Sequence, residues 1–194
     1  MRGGVGVALL ALALGGCATV PSVPAPDSGK PIHVVEPALP ANWTLQGRIA
    51  VQSGEQSLSG QILWRHRAET DDVLMTSPLG QGVARIVRDA EGVALEMPNQ
   101  PTRRAPDAES LTREALGYAL PVAGLVWWVQ ARPDPASAFE ATRDEVGRLD
   151  RLRQDGWVIT YLQYAADAPA RPRRLVVARE GLEIRLVADH WQTE

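Results

Sequence analysis

The stretch Trp43–Val51, WTLQGRIAV, decides the fold because apolar and polar residues alternate along it. An extended chain places successive side chains on opposite faces, so this stretch predicts a strand with one apolar and one polar face. Such a strand is typical of an antiparallel sheet that covers a core on one side only. The predicted apolar face carries Trp43, Leu45, Ile49 and Val51.

The same period of two recurs along most of the chain. LSGQILW (58–64) and GVALEM (92–97) both alternate. Asp155 and Gly156 favour the positive φ angles of a tight turn, and the alternating residues 157–161 follow them, which predicts a hairpin. RRLVVAREGLEIRLV (173–187) predicts a second hairpin. The chain is therefore expected to be mainly β.

Helical spacing occurs in one segment, residues 106–133. Asp107 suits the position just before a helix, and Pro121 either ends that helix or begins a second one. This helical insert lies between two groups of predicted strands. We expect a single large sheet whose apolar concave face is covered by the helices.

The amino terminus predicts a secretory signal peptide over residues 1–16. Arg2 precedes an apolar stretch, Val5–Leu14, which is too short to span a bilayer as a helix. The stretch ends in LGGC (14–17), which resembles the bacterial lipobox. That resemblance implies that Cys17, the one cysteine of the chain, is acylated. The alternative is an ordinary signal peptide with an incidental cysteine.

Residues 17–40 are rich in proline and predict a flexible tether between the acylated cysteine and a folded body. The lipobox resemblance implies sorting to the outer membrane, facing the periplasm, because Ala18 replaces the aspartate that commonly retains such proteins in the inner membrane. Residues 41–194 are of a length that suits one domain.

Composition excludes several classes of function. The formal net charge is −3 and the arginines are scattered among acids, so nucleic acid is not an expected partner. Neither an HExxH motif nor paired cysteines are present, which argues against a metal site, and the absence of GxSxG argues against a hydrolase. Asp71 and Asp72 are interpreted as a solvated turn. We expect neither catalysis nor a cofactor.

Several marks occur in one order behind the lipobox, and together they resemble the LolB family of outer-membrane lipoprotein receptors over residues 41–194. The marks are WTLQGRIAV (43–51), LSGQILW (58–64), SPLG (77–80), LPVAGLVWWVQARP (120–133), LRQDGWVITY (152–161), RPRRLVV (171–177) and HW (190–191). The resemblance implies an antiparallel, incompletely closed β-barrel with a helical lid and an apolar cavity.

The resemblance also implies a function without catalysis. A LolB-like protein accepts lipoproteins from the periplasmic carrier LolA and inserts them into the outer membrane, and we expect a monomer. Pro78, Leu79 and Gly80 would form the loop that delivers cargo to the membrane. The lipid cavity would be lined by Ile49, Ile62, Trp64, Leu95, Leu111, Leu125, Trp128, Trp157 and Ile159.

Two alternatives remain open at the level of sequence. Each of the nine cavity residues could be plain core, and the inward-facing member of Trp127 and Trp128 is undecided. The chain could also be a structural or assembly lipoprotein that docks a protein partner on its sheet.

Overall fold

The computed structural model describes residues 40–166 and 171–193, and every structural statement below concerns these ranges. The predicted signal peptide, the acylation site Cys17 and nearly all of the tether lie outside the described residues. Residues Ala38–Glu194 form one compact unit, and the described core lies within it.

The described chain consists mainly of strands, with two helices between the sixth and seventh. The elements are β1 (Asn42–Ser53), β2 (Gln56–Arg67), β3 (Thr70–Thr76), β4 (Gly82–Asp89), β5 (Gly92–Glu96), β6 (Arg103–Ala105), α1 (Ala108–Leu116), α2 (Val122–Trp128), β7 (Phe139–Arg143), β8 (Leu149–Gln154), β9 (Trp157–Tyr164), β10 (Pro172–Arg179) and β11 (Leu182–Thr193).

All the strands belong to one antiparallel sheet in the order β6-β5-β4-β3-β2-β1-β11-β10-β9-β8-β7. Pairing of β1 with both β2 and β11 joins the two halves of the chain. Within the described part, β6 and β7 are the ends of the sheet and are not paired with each other. The prediction of a mainly β fold with a helical insert and an incompletely closed barrel is confirmed.

The apolar residues of the alternating stretches lie on the inner face of this sheet. Leu45 lies opposite Trp64 and Val51 lies opposite Leu58 in the β1–β2 pair. The predicted hairpin turn at Asp155 and Gly156 is present, with φ angles of 51° and 77°. The apolar side chains of the inner face therefore form one continuous core.

A bulge explains the Gly-Arg pair in β1. The register with β11 shifts between Gln46 and Gly47, which leaves Asp189 without a residue opposite it. A Cβ atom at Gly47 would lie 2.0 Å from the carbonyl oxygen of Val187, so only glycine fits there. Arg48 then donates two hydrogen bonds of 3.0 Å to the Asp189 carboxylate on the outer face.

The two helices cover the inner face of the sheet. Asp107 caps α1 by accepting a hydrogen bond of 2.7 Å from the Ser110 backbone N–H, as predicted, and α1 ends at Gly117 with φ of 84°. Pro121 immediately precedes α2. Leu111 and Leu125 are buried in the core that the helices share with the strands. Among the described residues, no helix is both long and apolar enough to cross a membrane.

The interpretation of Asp71 and Asp72 as a solvated turn is wrong. Both residues belong to β3, and the turn lies before them at Ala68 and Glu69. Asp71 faces inward and is 1% exposed. Asp72 faces outward and accepts hydrogen bonds of 2.9 and 3.1 Å from the Arg85 guanidinium. Asp71 can be buried because His66 on β2 and Arg88 on β4 contact its carboxylate. Neither partner is next to it in the sequence.

Candidate functional site

A tight turn between β3 and β4 presents Leu79 to solvent. The Gly80 backbone N–H donates to the Ser77 carbonyl at 2.8 Å, and the Ser77 N–H donates to the Gln81 carbonyl at 2.7 Å. Pro78 restricts φ, and Gly80 adopts φ of 82°, a value that L side chains rarely adopt. Leu79 is 88% exposed, the largest exposure among the large hydrophobic side chains of the described ranges. The turn therefore holds an apolar side chain outward.

An apolar cavity of about 220 Å³ lies between the inner face of β1–β4 and the segment that joins α1 to α2. We call it the apolar cavity. The described residues that line it are all uncharged, and burial raises the pKa of the Tyr118 phenol, which therefore stays neutral at ordinary pH. Its lining consists of Val51, Gln56, Ser57, Leu58, Met75, Val83, Ala84, Ile86, Met97, Leu116, Tyr118 and Leu120.

The apolar cavity adjoins the turn that carries Leu79. Met75 precedes Leu79 by four residues on β3, Val83 follows it by four on β4, and both line the cavity. An exposed leucine and an uncharged internal space thus occupy the same end of one hairpin.

The nine residues predicted to line a lipid cavity are all buried core residues, each 7% exposed or less. They pack in one core cluster with the helices and strands. The apolar cavity itself is lined by other side chains, from the strands and from the α1–α2 segment. Trp157 differs from the rest because it also borders a groove beside Phe139, near the edge strand β7.

A buried polar cluster lies further along the same inner face, on β2, β3 and β4. The Asp71 carboxylate receives a hydrogen bond of 2.8 Å from Trp64 Nε1 and one of 2.7 Å from Arg88 Nε. His66 Nδ1 is 2.8 Å from the same carboxylate. The His66 ring also stacks on Trp43, with ring centroids 5.0 Å apart. The side chains of this cluster are therefore held in fixed positions.

Asp71 is ionised in this cluster. Burial raises the pKa of the carboxyl, but hydrogen bonds from His66 and Trp64 and the charge of Arg88 lower it by more, so the pKa lies below its usual value. Because an ionised carboxylate can only accept hydrogen bonds, His66 Nδ1 is the donor to Asp71. The other ring nitrogen, Nε2, takes no part in this hydrogen bond.

A second cavity of about 380 Å³ lies against the polar cluster, and we call it the polar cavity. His66 and Arg88 line it on the sheet side, and Val126 and Trp127 line it from α2. On β4 the residues that line the two cavities are two positions apart, since Ile86 lines the apolar cavity and Arg88 lines the polar cavity. Within the described ranges, no three histidine, cysteine, aspartate or glutamate side chains are grouped to hold a metal ion.

Comparison with known proteins assigns the family. The family model described as outer membrane lipoprotein LolB matches residues 41–191. The chain belongs to the LolB family. Its relatives include a protein named outer-membrane lipoprotein LolB from Thiobacillus denitrificans, which is 60% identical over 187 residues covering 96% of each chain. Another of the same name, from Cupriavidus pinatubonensis, is 40% identical over 77% of this chain and 74% of that one.

Solved structures support the fold alone. A DUF1329-family protein from Desulfovibrio piger is 8% identical to this chain, with a TM-score of 0.50 over 80% of this chain and 86% of that one. The likeness is consistent with the one-sided antiparallel sheet of this LolB-family member.

The orientation of the tryptophan pair in α2 is settled by the structure. Trp128 is 1% exposed, and its Nε1 donates a hydrogen bond of 2.9 Å to Gln154 Oε1. Trp127 is half-buried and lines the polar cavity. Trp128 therefore faces the core of this LolB-family protein, where Gln154, buried on β8, accepts the indole N–H.

Removing the buried charge should destabilise the domain in a pH-dependent way. Asp71→Asn leaves Arg88 without its counter-ion, and we expect a loss of about 3 kcal/mol in the free energy of unfolding at pH 7. Because the folded pKa of Asp71 is lowered, its contribution is present above about pH 4 and is lost as the pH falls through the folded pKa. Urea unfolding at several pH values measures both effects.

The matched control is Asp72→Asn, one residue along the same strand. Asp72 pairs with the exposed Arg85, and such surface pairs contribute at most about 1 kcal/mol. Equal losses for the two variants would show that the Asp71 cluster is not a buried ionic network.

Proposed function

We propose that this LolB-family protein is anchored by acylated Cys17 in the outer membrane, faces the periplasm, accepts lipoproteins from the carrier LolA and inserts them into the bilayer. The supporting observation is the pairing of an uncharged cavity with an exposed leucine at one end of the β3–β4 hairpin. Membership of the LolB family and the names of its relatives, which call them outer-membrane lipoproteins, support the proposed location.

The physics of the cargo accounts for these features. An acyl chain of about sixteen carbons costs roughly 12 kcal/mol to expose to water, at about 0.8 kcal/mol per methylene. Such a chain must therefore pass directly from one apolar surface to another. A cavity with non-directional apolar walls suits this task, because acyl chains offer it no polar group to recognise.

Cargo entry requires the cavity to enlarge. Its volume of about 220 Å³ is below the roughly 300–1,000 Å³ typical of ligand pockets. Leu116, Tyr118 and Leu120 form its wall on the helical side, so displacement of the α1–α2 segment would open it. The core-facing residues of the helices, such as Leu111 on α1 and Leu125 on α2, would then join the lipid-binding surface that the family resemblance implies.

Transfer of cargo between apolar surfaces breaks no covalent bond and needs no catalytic group. The apolar cavity has uncharged walls, and the His66–Asp71 pair is fixed by Trp64 and Arg88 in the polar cluster. We therefore propose a receptor and not an enzyme, without a cofactor.

Capture of a lipoprotein tests this proposal against the alternative of a docking lipoprotein. The chain from Ala18 to Glu194, made without its signal segment, is mixed with an acylated lipoprotein and with the same protein lacking acyl groups. We expect only the acylated form to co-elute with it in gel filtration. Equal binding of both forms would favour a protein-docking role and contradict the receptor.

A further inference from the structure

The polar cavity contains a charged donor in a place where an acyl-binding surface needs none. Arg88 donates through Nε and Nη2 to the Asp71 carboxylate, which leaves Nη1 outside that ion pair. His66 Nδ1 is also taken by Asp71, which leaves Nε2. The remaining nitrogens belong to two residues that line one cavity, and their side chains are fixed by the cluster behind them.

Apolar walls complete this cavity. Ala123, Val126 and Trp127 face it from α2. A ligand that fits there therefore has an oxygen-bearing group to accept from Arg88 and apolar atoms to contact the helix. An amphiphile at the junction of its polar head and acyl chains has this chemistry.

On β4 this cavity lies close to the proposed acyl site. Ile86 lines the apolar cavity, and Arg88 lines the polar cavity from the same face of the strand. Two residues of a strand span roughly 7 Å. A molecule with acyl chains in the apolar cavity would reach Arg88 along β4 once the core side chains packed between the two cavities, Ile62 and Trp64 among them, move apart.

The charge of the cavity favours a neutral head group. Glu69 and Asp134 line the polar cavity together with Arg88 and His66. An anionic phosphate or fatty-acid carboxylate there would face two carboxylates of like charge. A neutral ester carbonyl accepts from Arg88 without that repulsion.

We propose that the polar cavity binds the ester carbonyls of the acylglycerol group on the cargo's lipidated cysteine, while its acyl chains occupy the neighbouring apolar cavity. This inference rests on the proposed receptor function and adds to it a residue that reads the head group. Arg88 is the main donor, and Asp71 positions it.

Ester and ether lipopeptides provide the direct test. Both probes are short peptides in which the cysteine sulfur carries a glyceryl group. In one probe the glyceryl group bears two ester-linked acyl chains, and in the other it bears two ether-linked alkyl chains of equal length. The ether probe lacks the carbonyl oxygens and keeps the apolar chains. Binding of each probe to the chain from Ala18 to Glu194 is measured by calorimetry, and we expect the ester probe to bind about tenfold more tightly.

Arg88→Leu should abolish this preference, so that both probes bind equally. A general loss of folding would weaken both probes alike and leave their ratio unchanged, which separates recognition from stability. The matched control is Arg85→Leu on the outer face of the same strand, where Arg85 pairs with Asp72 and Glu96. That variant should retain the tenfold ratio.

The outcomes separate this inference from the receptor function. Equal binding of ester and ether probes by the unaltered chain would overturn the ester site while leaving the receptor in place. Failure to bind either probe would overturn both. Displacement of the ester probe by an equal concentration of palmitate would assign the cavity to a free fatty acid and contradict the assignment to cargo.

Discussion

Leu79→Glu should accept cargo as well as the unaltered chain does and deliver it to membranes at least about tenfold more slowly. Burying a leucine side chain in an apolar phase contributes roughly 1.5–3 kcal/mol, and a glutamate at the same tip loses this gain and adds a desolvation cost. The turn itself should be unchanged, because its hydrogen bonds are made by Ser77, Gly80 and Gln81.

Acceptance and delivery are separated by using two assays on the lipidated protein in vesicles. Acceptance is the amount of acylated cargo that can be cross-linked to the protein, and delivery is the rate at which cargo enters the vesicle lipid. Leu162→Glu is the control, because Leu162 is 62% exposed on β9 and lies outside the turn. Equal slowing by the two variants would remove the specific role of the Leu79 turn.

Ala84→Phe should block acceptance. Ala84 is 7% exposed and lines the apolar cavity, so a benzyl group at this position occupies space that the acyl chains need. We expect cargo binding to fall more than about tenfold, whereas stability changes by no more than the roughly 1–3 kcal/mol typical of an oversized core residue. Calorimetric titration with an acylated peptide and urea unfolding measure the two quantities.

Val87→Phe is the matched control for Ala84→Phe. It introduces the same side chain on the same strand but on the outer face, away from the apolar cavity. Cargo binding by this variant should be unchanged. Unimpaired binding by Ala84→Phe would show that the apolar cavity is not where acyl chains enter.

Alternation in the sequence predicts a strand when one of its faces is buried and the other is exposed to solvent. Alternation in Trp43–Val51 arises because one face of β1 is buried in the core and the other is exposed. Strand β7 gives no such signal, because it forms one end of the sheet and all five of its residues, Phe139–Arg143, are exposed. Periodicity detects a difference in burial, and an edge strand without that difference escapes it.

The polar cluster was missed for a different reason. His66 and Asp71 lie five residues apart in sequence, and they face each other only because a two-residue turn at Ala68 and Glu69 sets the register. Ala68 adopts φ of 48° without being glycine, so the usual turn signal is absent. A search of every possible short hairpin register for a basic residue opposite an acidic one could have found this pair. Arg88 depends further on the irregular register between β3 and β4.

The nine residues predicted to line a lipid cavity are buried in this structure, and none of them lines the apolar cavity. Trp64 and Trp128 are buried and make hydrogen bonds to Asp71 and Gln154, respectively. Sequence patterns predict which side chains face inward, and in this structure those side chains pack against one another. Whether they meet lipid depends on how far the helices move, which alternation along a strand does not encode.

The most direct test of the receptor function is transfer of cargo from the carrier. LolA loaded with an acylated lipoprotein is mixed with the chain from Ala18 to Glu194, without nucleotide, and the cargo on each protein is counted after separation. We predict that most of the cargo moves to this chain. Cargo that stays on a carrier shown to release it to another LolB-family protein would contradict the receptor function.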